Sequence, residues 1–309
     1  MILLAIVHLL FAMALAPLLL GVINQTKAFF AGRRGPPLLQ LYFDLWKLLH
    51  KGAVYSRTTS WIFRAAPIVG LAAYLTALTL LPFGGVPAVF SFPGDFLLLV
   101  YLLALARFFL IAAALDTGSS FEGMGASREA LFSILAEPGL LLGLAAVARQ
   151  RALLEKHVVP MSLSEIHSSL IGPASLILVL VAIAFFVILL VENSRIPADD
   201  PNTHLELTMI HEVMVLDHGG PDLAFILYGA ALKLWLLGAV LVAIVLPQTG
   251  AVILDSVLAL AAMAALAVLV GVVESCMARL RLLLVPQLLV GAAALAALAL
   301  VLERQGRGL

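Results

Sequence analysis

Charge and cysteine are what this sequence has least of. Asp, Glu, Lys and Arg make up only 12% of its 309 residues, about half of the roughly 25% found in soluble domains, so an ordinary soluble fold is excluded. The single cysteine, Cys276, rules out an internal disulfide. One thiolate also cannot hold an iron–sulfur cluster or a Cys-ligated structural zinc by itself. Eighteen basic and eighteen acidic residues cancel to a formal net charge of +0, and no block of like charge forms a tail, which leaves no electrostatic footprint for nucleic acid. Any redox centre serving this chain is therefore expected in a partner.

Apolar residues are abundant instead: 63% of the chain is hydrophobic and the mean hydropathy is +1.13. This composition predicts an all-α, polytopic helical membrane protein, a single integral membrane domain over residues 1–309. A helical span of the bilayer needs about 20 apolar residues. Eight runs qualify, near residues 2–24, 62–81, 96–116, 131–148, 171–191, 223–246, 252–275 and 284–302. Pro82, Pro247 and Pro286 fall where these spans should end or begin, since proline cannot continue a helix. The first run lacks a positive leading region and a small-residue cleavage site before Asn24, so it is expected to be a span and not a removed signal peptide. Lys27, Arg33, Arg34, Lys47, Lys51, Arg57, Arg64, Arg128, Arg195, Arg279 and Arg281 fall on one side of the spans. Arg149, Arg151, Lys156, Arg304 and Arg307 fall on the other. The excess of cations inside predicts an outer location for both termini, although the three cations of the 149–170 loop oppose it.

Two segments break the apolar pattern. Over residues 38–54, Leu38, Leu41, Tyr42, Leu45, Leu48 and Leu49 recur at three- and four-residue steps, with Gln40, Asp44, Lys47 and Lys51 on the other side. This spacing predicts an amphipathic helix lying on the membrane or against a partner. Residues 192–222 form an acid-rich island holding Glu192, Asp199, Asp200, Glu206, Glu212, Asp217 and Asp222 with Arg195, His204, His211 and His218, and the predicted orientation turns it toward the cytoplasm.

Ionisable groups inside the spans carry the sharpest chemical signal, because one at the bilayer centre costs about 2.5–3.5 kcal/mol even on the lenient insertion scale. Arg107 and Lys233 are mid-span, Glu137 lies two turns into the fourth span, and Asp116, Glu192 and Glu274 mark inner ends. Facing one another, they would form a polar track entering the membrane. Structural pairing alone explains any one of them less strainedly than it explains all six. His204, Glu206, His211 and Glu212 are suitable metal ligands, but Val215 stands where a zinc-protease helix needs its second histidine, so no metal site is expected. The Gly-Met-Gly of residues 123–125 is expected to permit a tight turn in the 117–130 loop, and His8 and His50 are expected to pack or to lie at the surface.

Four stretches together carry a resemblance. Gly35 and Pro36 precede Leu38, Leu39, Gln40, Asp44, Lys47 and Leu48. Gly125, Ala126 and Arg128 lead to Glu137. Glu192, Arg195, Pro197, Asp199, Pro201, Glu206 and Leu207 form the acidic loop, and Arg279 and Arg281 close the set. These residues resemble the membrane subunit shared by respiratory complex I (subunit 1) and the membrane-bound nickel–iron hydrogenases of the formate hydrogenlyase and hydrogenase-4 type. Asn202 and His204 replace further acids after Pro201, Leu283 replaces an acid after Arg281, and the stretches Leu115–Glu129 and Asp199–Asp222 look like the hydrogenase version.

That resemblance implies an anchor in the plasma membrane of a prokaryote. It would dock hydrogenase large and small subunits, which carry the nickel–iron (NiFe) centre and iron–sulfur clusters, beside antiporter-like membrane subunits, and no cofactor is expected on this chain. It implies proton or sodium coupling through Arg107, Asp116, Arg128, Glu137, Glu192, Arg195, Asp199, Asp200, Glu206, Lys233, Glu274, Arg279 and Arg281. Docking would fall to Gln40, Asp44, Lys47, His204, His211 and Glu212. A quinone-site subunit of a complex I-type enzyme is the alternative within the resemblance. A stand-alone transporter is a third possibility, against which the lack of internal repeats and of paired broken spans argues.

Overall fold

The computed structural model describes residues 2–155, 162–165, 174–199 and 209–305. Their chain folds into α1 (Ile2–Phe30), α2 (Gln40–Leu49), α3 (Trp61–Thr79), α4 (Asp95–Asp116), α5 (Ser120–Glu155), α6 (Ala174–Glu192), α7 (Gly220–Val245), α8 (Val252–Cys276) and α9 (Val285–Gln305). Among the described residues there is no strand, only an isolated bridge between Phe83 and Val86. Seven of these helices are long and apolar enough to cross a membrane, all but α2 and α6. The fifth predicted run appears as α6, whose apolar segment Leu176–Glu192 is shorter.

Helix α7 is the axis of the bundle. It packs on α1, α2, α3, α6 and α8, while α5 and α6 enclose α9, and α4 bridges α3 to α5. Its side chains are buried almost all the way round, with Trp235 the largest, 1% exposed. A helix apolar on every face belongs in the centre of a bundle. The outer helices keep large apolar side chains exposed, Phe108 on α4, Ile134 on α5 and Ile253 on α8 among them, as a hydrocarbon solvent permits.

The helix ends follow local chemistry. The Ser60 side chain accepts from the Ile62 N–H at the start of α3, which satisfies one of the unpaired first-turn donors. Pro82 follows α3, Pro247 follows α7 and Pro286 opens α9, as the sequence predicts. One end of the bundle carries the described residues 30–60, 116–120, 192–199, 209–220 and 276–285 and is called here the polar end. At the opposite end two buried carboxylates are spent on the backbone. Asp95 accepts from the Leu163 N–H (2.7 Å) and the Ser162 hydroxyl (2.7 Å). Asp255 accepts from the Thr249 and Gly250 N–H groups (2.9 and 3.2 Å).

Two expectations need correction. The fourth span does not begin near 131: α5 starts at Ser120, so Gly123 and Gly125 lie within a helix and make no turn. Gly125 is small for packing, since a Cβ there would meet Val213 Cγ1 at 2.3 Å and the Ile210 carbonyl oxygen at 2.8 Å. The amphipathic helix covers Gln40–Leu49 and carries two apolar surfaces. Leu41 packs on the core and the Tyr42 hydroxyl donates to the Ala14 carbonyl, whereas Phe43 and Trp46 face outward, 59% and 69% exposed. Its entry from α1 is tight, because a Cβ on Gly21 would lie 2.1 Å from the Leu38 carbonyl oxygen.

Candidate functional site

Within the bundle, α4, α5, α6 and α7 bring four of the predicted intramembrane charges together. Glu192, at the last turn of α6, lies between two cations. Its Oε1 is 3.0 Å from Arg107 Nη1 and its Oε2 is 2.8 Å from Lys233 Nζ. Lys233 also donates to the Glu192 carbonyl oxygen at 2.5 Å. Arg107 Nη2 reaches Glu137 Oε1 at 3.2 Å, which joins α5 to the chain. Arg107 and Lys233 are 6% and 7% exposed, so neither could remain charged without these partners. Glu137 differs: its side chain is 37% exposed on the flank of the bundle. Glu129 and Tyr74 complete the surroundings, both within the field of Arg107 and Lys233.

Three residues beyond Glu192 a second set begins. Arg195 Nη1 lies 3.4 Å from Glu274 Oε1 on α8, and Lys27 Nζ on α1 lies 2.7 Å from Glu274 Oε2. Further along the same loop, Asp199 Oδ1 pairs with Arg279 Nη2 at 2.8 Å, while its Oδ2 accepts from the Ile210 N–H at 3.0 Å. Arg128 on α5 donates to the Met209 carbonyl at 2.9 Å, and the Leu280 N–H donates to the Pro197 carbonyl at 2.9 Å. The island is therefore pinned to α5 and to the α8–α9 connection by charge and by backbone. Charge-assisted bonds of this kind are about twice as strong as neutral ones.

A narrow cavity of about 70 Å³ connects the two sets, lined by Tyr74, Glu192, Arg195, His211 and Lys233. Burial, followed by the nearby Lys233 charge, lowers the His211 pKa to about 4 against the opposing pull of Asp199. At neutral pH this ring is uncharged and able both to donate and to accept a proton.

The remaining predicted residues divide. Asp116 stands apart from the track: its Oδ2 accepts from the Ser60 N–H at 2.6 Å and fixes the start of α3. Arg281 is exposed beside the turn before α9, with no ion pair among the described residues. Glu212 opens a short 3-10 turn, Glu212–Val215, that packs on α4 and α5. Gln40 Nε2 donates to Asp44 Oδ1 at 2.9 Å along α2, and Lys47 is exposed on the same helix. Asp200, His204 and Glu206 lie outside the described residues. His8 stacks on Phe83, ring centroids 4.9 Å apart. The sequence does not single out Lys27, Glu129 or Glu122 as members of polar clusters, and His218 and Asp222 are read there only as part of the island. Lys27 was placed in a loop because the first span was ended at residue 24, whereas α1 runs on to Phe30.

The fold and this site define a polytopic helical membrane protein whose interior holds linked ion pairs reaching from one end to a flank of the bundle. The family model of NADH dehydrogenase matches residues 2–303, and the chain belongs to that family. It is 33% identical over 282 residues to formate hydrogenlyase subunit 4 of Escherichia coli (strain K12), covering 89% of this chain and 90% of that protein. Hydrogenase-4 component C of the same organism is 32% identical over 278 residues, covering 88% and 86%. The fold is also similar to a chain of the membrane-bound sulfane sulfur reductase, an archaeal respiratory membrane complex. The TM-score there is 0.79 at 20% identity, with 97% of this chain and 98% of that chain covered.

Proposed function

We propose that this chain is the membrane anchor and ion-coupling subunit of a membrane-bound nickel–iron hydrogenase complex of the formate hydrogenlyase or hydrogenase-4 type. The coarser part, a membrane subunit of an oxidoreductase complex, follows from the family and its relatives. In the finer reading the nickel–iron centre and iron–sulfur clusters sit in soluble partner subunits docked at the polar end, and antiporter-like subunits sit beside the bundle. The termini then lie outside the plasma membrane of a prokaryote and the island faces the cytoplasm.

The observation that carries this reading is Glu192 held between Arg107 and Lys233, with Glu137 at the flank and Arg195 three residues away. Carboxylates that share cations in a low-dielectric interior titrate as a group, so a charge change at one member shifts proton affinity at the others. Reduction or docking events in the partner alter charge beside Asp199, Arg195 and Arg279. The shift passes through Glu274 and Glu192 to Glu137, where an ion is handed to a neighbouring subunit.

The test is transport by the assembled complex in proteoliposomes. Replacing Glu137 or Asp199 with Ala is expected to leave hydrogenase assembly and dye-linked activity intact while ion translocation per turnover drops at least tenfold. An assembled variant that translocates at the normal ratio removes that residue from the path. The family description favours one second reading, a quinone-linked complex. The relatives at 33% and 32% identity, a formate hydrogenlyase subunit and a hydrogenase-4 component, support the hydrogenase reading. Quinone-dependent activity of the purified complex would reverse that preference.

A further inference from the structure

A second group of buried titratable side chains lies at the polar end, outside the ion-pair track. Glu122 in the first turn of α5 is 1% exposed, His218 just before α7 is 4% and Asp222 in the first turn of α7 is 7%. Glu122 Oε2, Asp222 Oδ2 and both ring nitrogens of His218 have no hydrogen-bond partner among the described residues. The three belong to one neighbourhood. The Asp217 N–H donates to Glu122 Oε1 at 3.2 Å, the adjacent His218 ring feels the charges of Asp222 and Asp217, and the Tyr55 hydroxyl bonds Asp222.

Among the described residues nothing neutralises this group. Among the described residues no Lys or Arg forms an ion pair with Glu122, Asp217 or Asp222. Arg64 of α3 lies over the Tyr55 ring, 4.5 Å from its centroid, and Asp116 of α4 is bonded to the Ser60 backbone. Phe63 lies flat on His218, ring centroids 3.9 Å apart at 7°. Phe63 also lines an open depression of about 280 Å³ with Val54, Tyr55, Ser56, Thr59 and Asp217. The acids and the histidine do not converge as ligands on a metal ion.

Each carboxylate therefore keeps one buried oxygen without a donor among the described residues, beside an imidazole whose ring nitrogens are also unbonded, and buried polar atoms of this kind call for a shared proton or ordered water. We propose that Glu122, His218 and Asp222 form a proton-holding site, bridged by ordered water, that exchanges protons with solvent through the Tyr55–Asp217 depression. A proton from solvent water protonates one carboxylate and leaves hydroxide, or unprotonated buffer, outside. His218 relays by accepting a proton at one ring nitrogen and releasing one from the other. Burial lowers the His218 pKa to about 4 against the opposing charges of Asp222 and Asp217, so the ring is neutral at pH 7 and available for that exchange. The site stands independently of the coupling reading.

Infrared titration of the intact complex in lipid nanodiscs tests it. The wild type is expected to show a protonated-carboxyl C=O band at pH 7 that shifts in deuterated buffer and is diminished by Glu122→Gln or Asp222→Asn and by the double variant. His218→Gln should move the titration midpoint of that band by about one pH unit or more, while Asp95→Asn, at the opposite end of the bundle, should leave it unchanged. A band indifferent to both carboxylate variants, or no band at pH 7, overturns the proposal. If Glu122→Gln does not fold, Asp222→Asn and His218→Gln decide alone: no change in either overturns it. Ion translocation is measured in the same variants. A band that responds with transport unaltered keeps the site and removes it from coupling.

Discussion

Glu192 is the residue on which the interior charges depend. It faces Arg107 and Lys233 with opposite oxygens, so removing the acid leaves Lys233 a buried cation without its counter-charge, and removing Lys233 leaves Glu192 to share Arg107 with Glu137. Lys233→Met or Glu192→Gln should each destabilise the protein by about 3–5 kcal/mol, read as a lowered thermal midpoint in detergent. The double variant Glu192→Leu with Lys233→Met should recover part of that loss, because replacing a buried pair by apolar groups is often nearly neutral. A double variant as unstable as the sum of the singles would show that the pair does more than permit burial. His211 sets a pH dependence. Its folded pKa of about 4 lies below the unfolded value of about 6.5, so the unfolded chain binds the proton first. Stability at the polar end should be full above pH 6.5, fall as the pH is lowered toward 4, and show no further loss from this group below that. Amide exchange of residues 209–216 at pH 7 and pH 5 measures it, and His211→Gln should flatten the difference.

At the scale of single elements, the beginning of α5 separates what was legible from what was not. The apolar period from 131 onward announces a helix. The polar stretch 120–130 reads as a loop by composition, because its glycines and charges are unfavourable at a lipid face. They are stable in a helix because the 209–216 segment covers them: Arg128 meets the Met209 carbonyl and Gly125 admits Val213. That long-range cover has no local sequence signal. Gly125→Val should therefore cost about 1–3 kcal/mol through overpacking and lift the 209–216 segment from α5, seen as new protease cleavage there. Unchanged cleavage would mean that Gly125 is not what lets the segment dock. Helix α2 was legible through its leucine spacing, yet its outward Phe43 and Trp46 were not, since which surface meets α1 depends on the close approach of the Leu38 backbone to Gly21 of α1.

At the scale of the whole molecule, the spans were the most readable feature, because backbone in hydrocarbon must satisfy its own hydrogen bonds and needs a run of fixed length. Mutual facing of Arg107, Glu137, Glu192 and Lys233 was foreseeable only as a requirement: buried charges must meet opposites, but sequence does not say which. Lys27, which the sequence places outside the first span, joins Glu274.

The two ends of the bundle differ in how they employ acid. Asp95 and Asp255 at the opposite end are fully occupied in tying loops to helix starts, and beyond Lys233 the only other charged side chain described in the spans is Arg149. Among the described residues nothing there continues the row of carboxylates toward that surface, whereas Glu137 opens on the flank. In the reading proposed above, the bundle is thus a corridor with a front entrance and a side door but no back door. Whatever leaves it would have to leave sideways, into whichever chain stands next to α5.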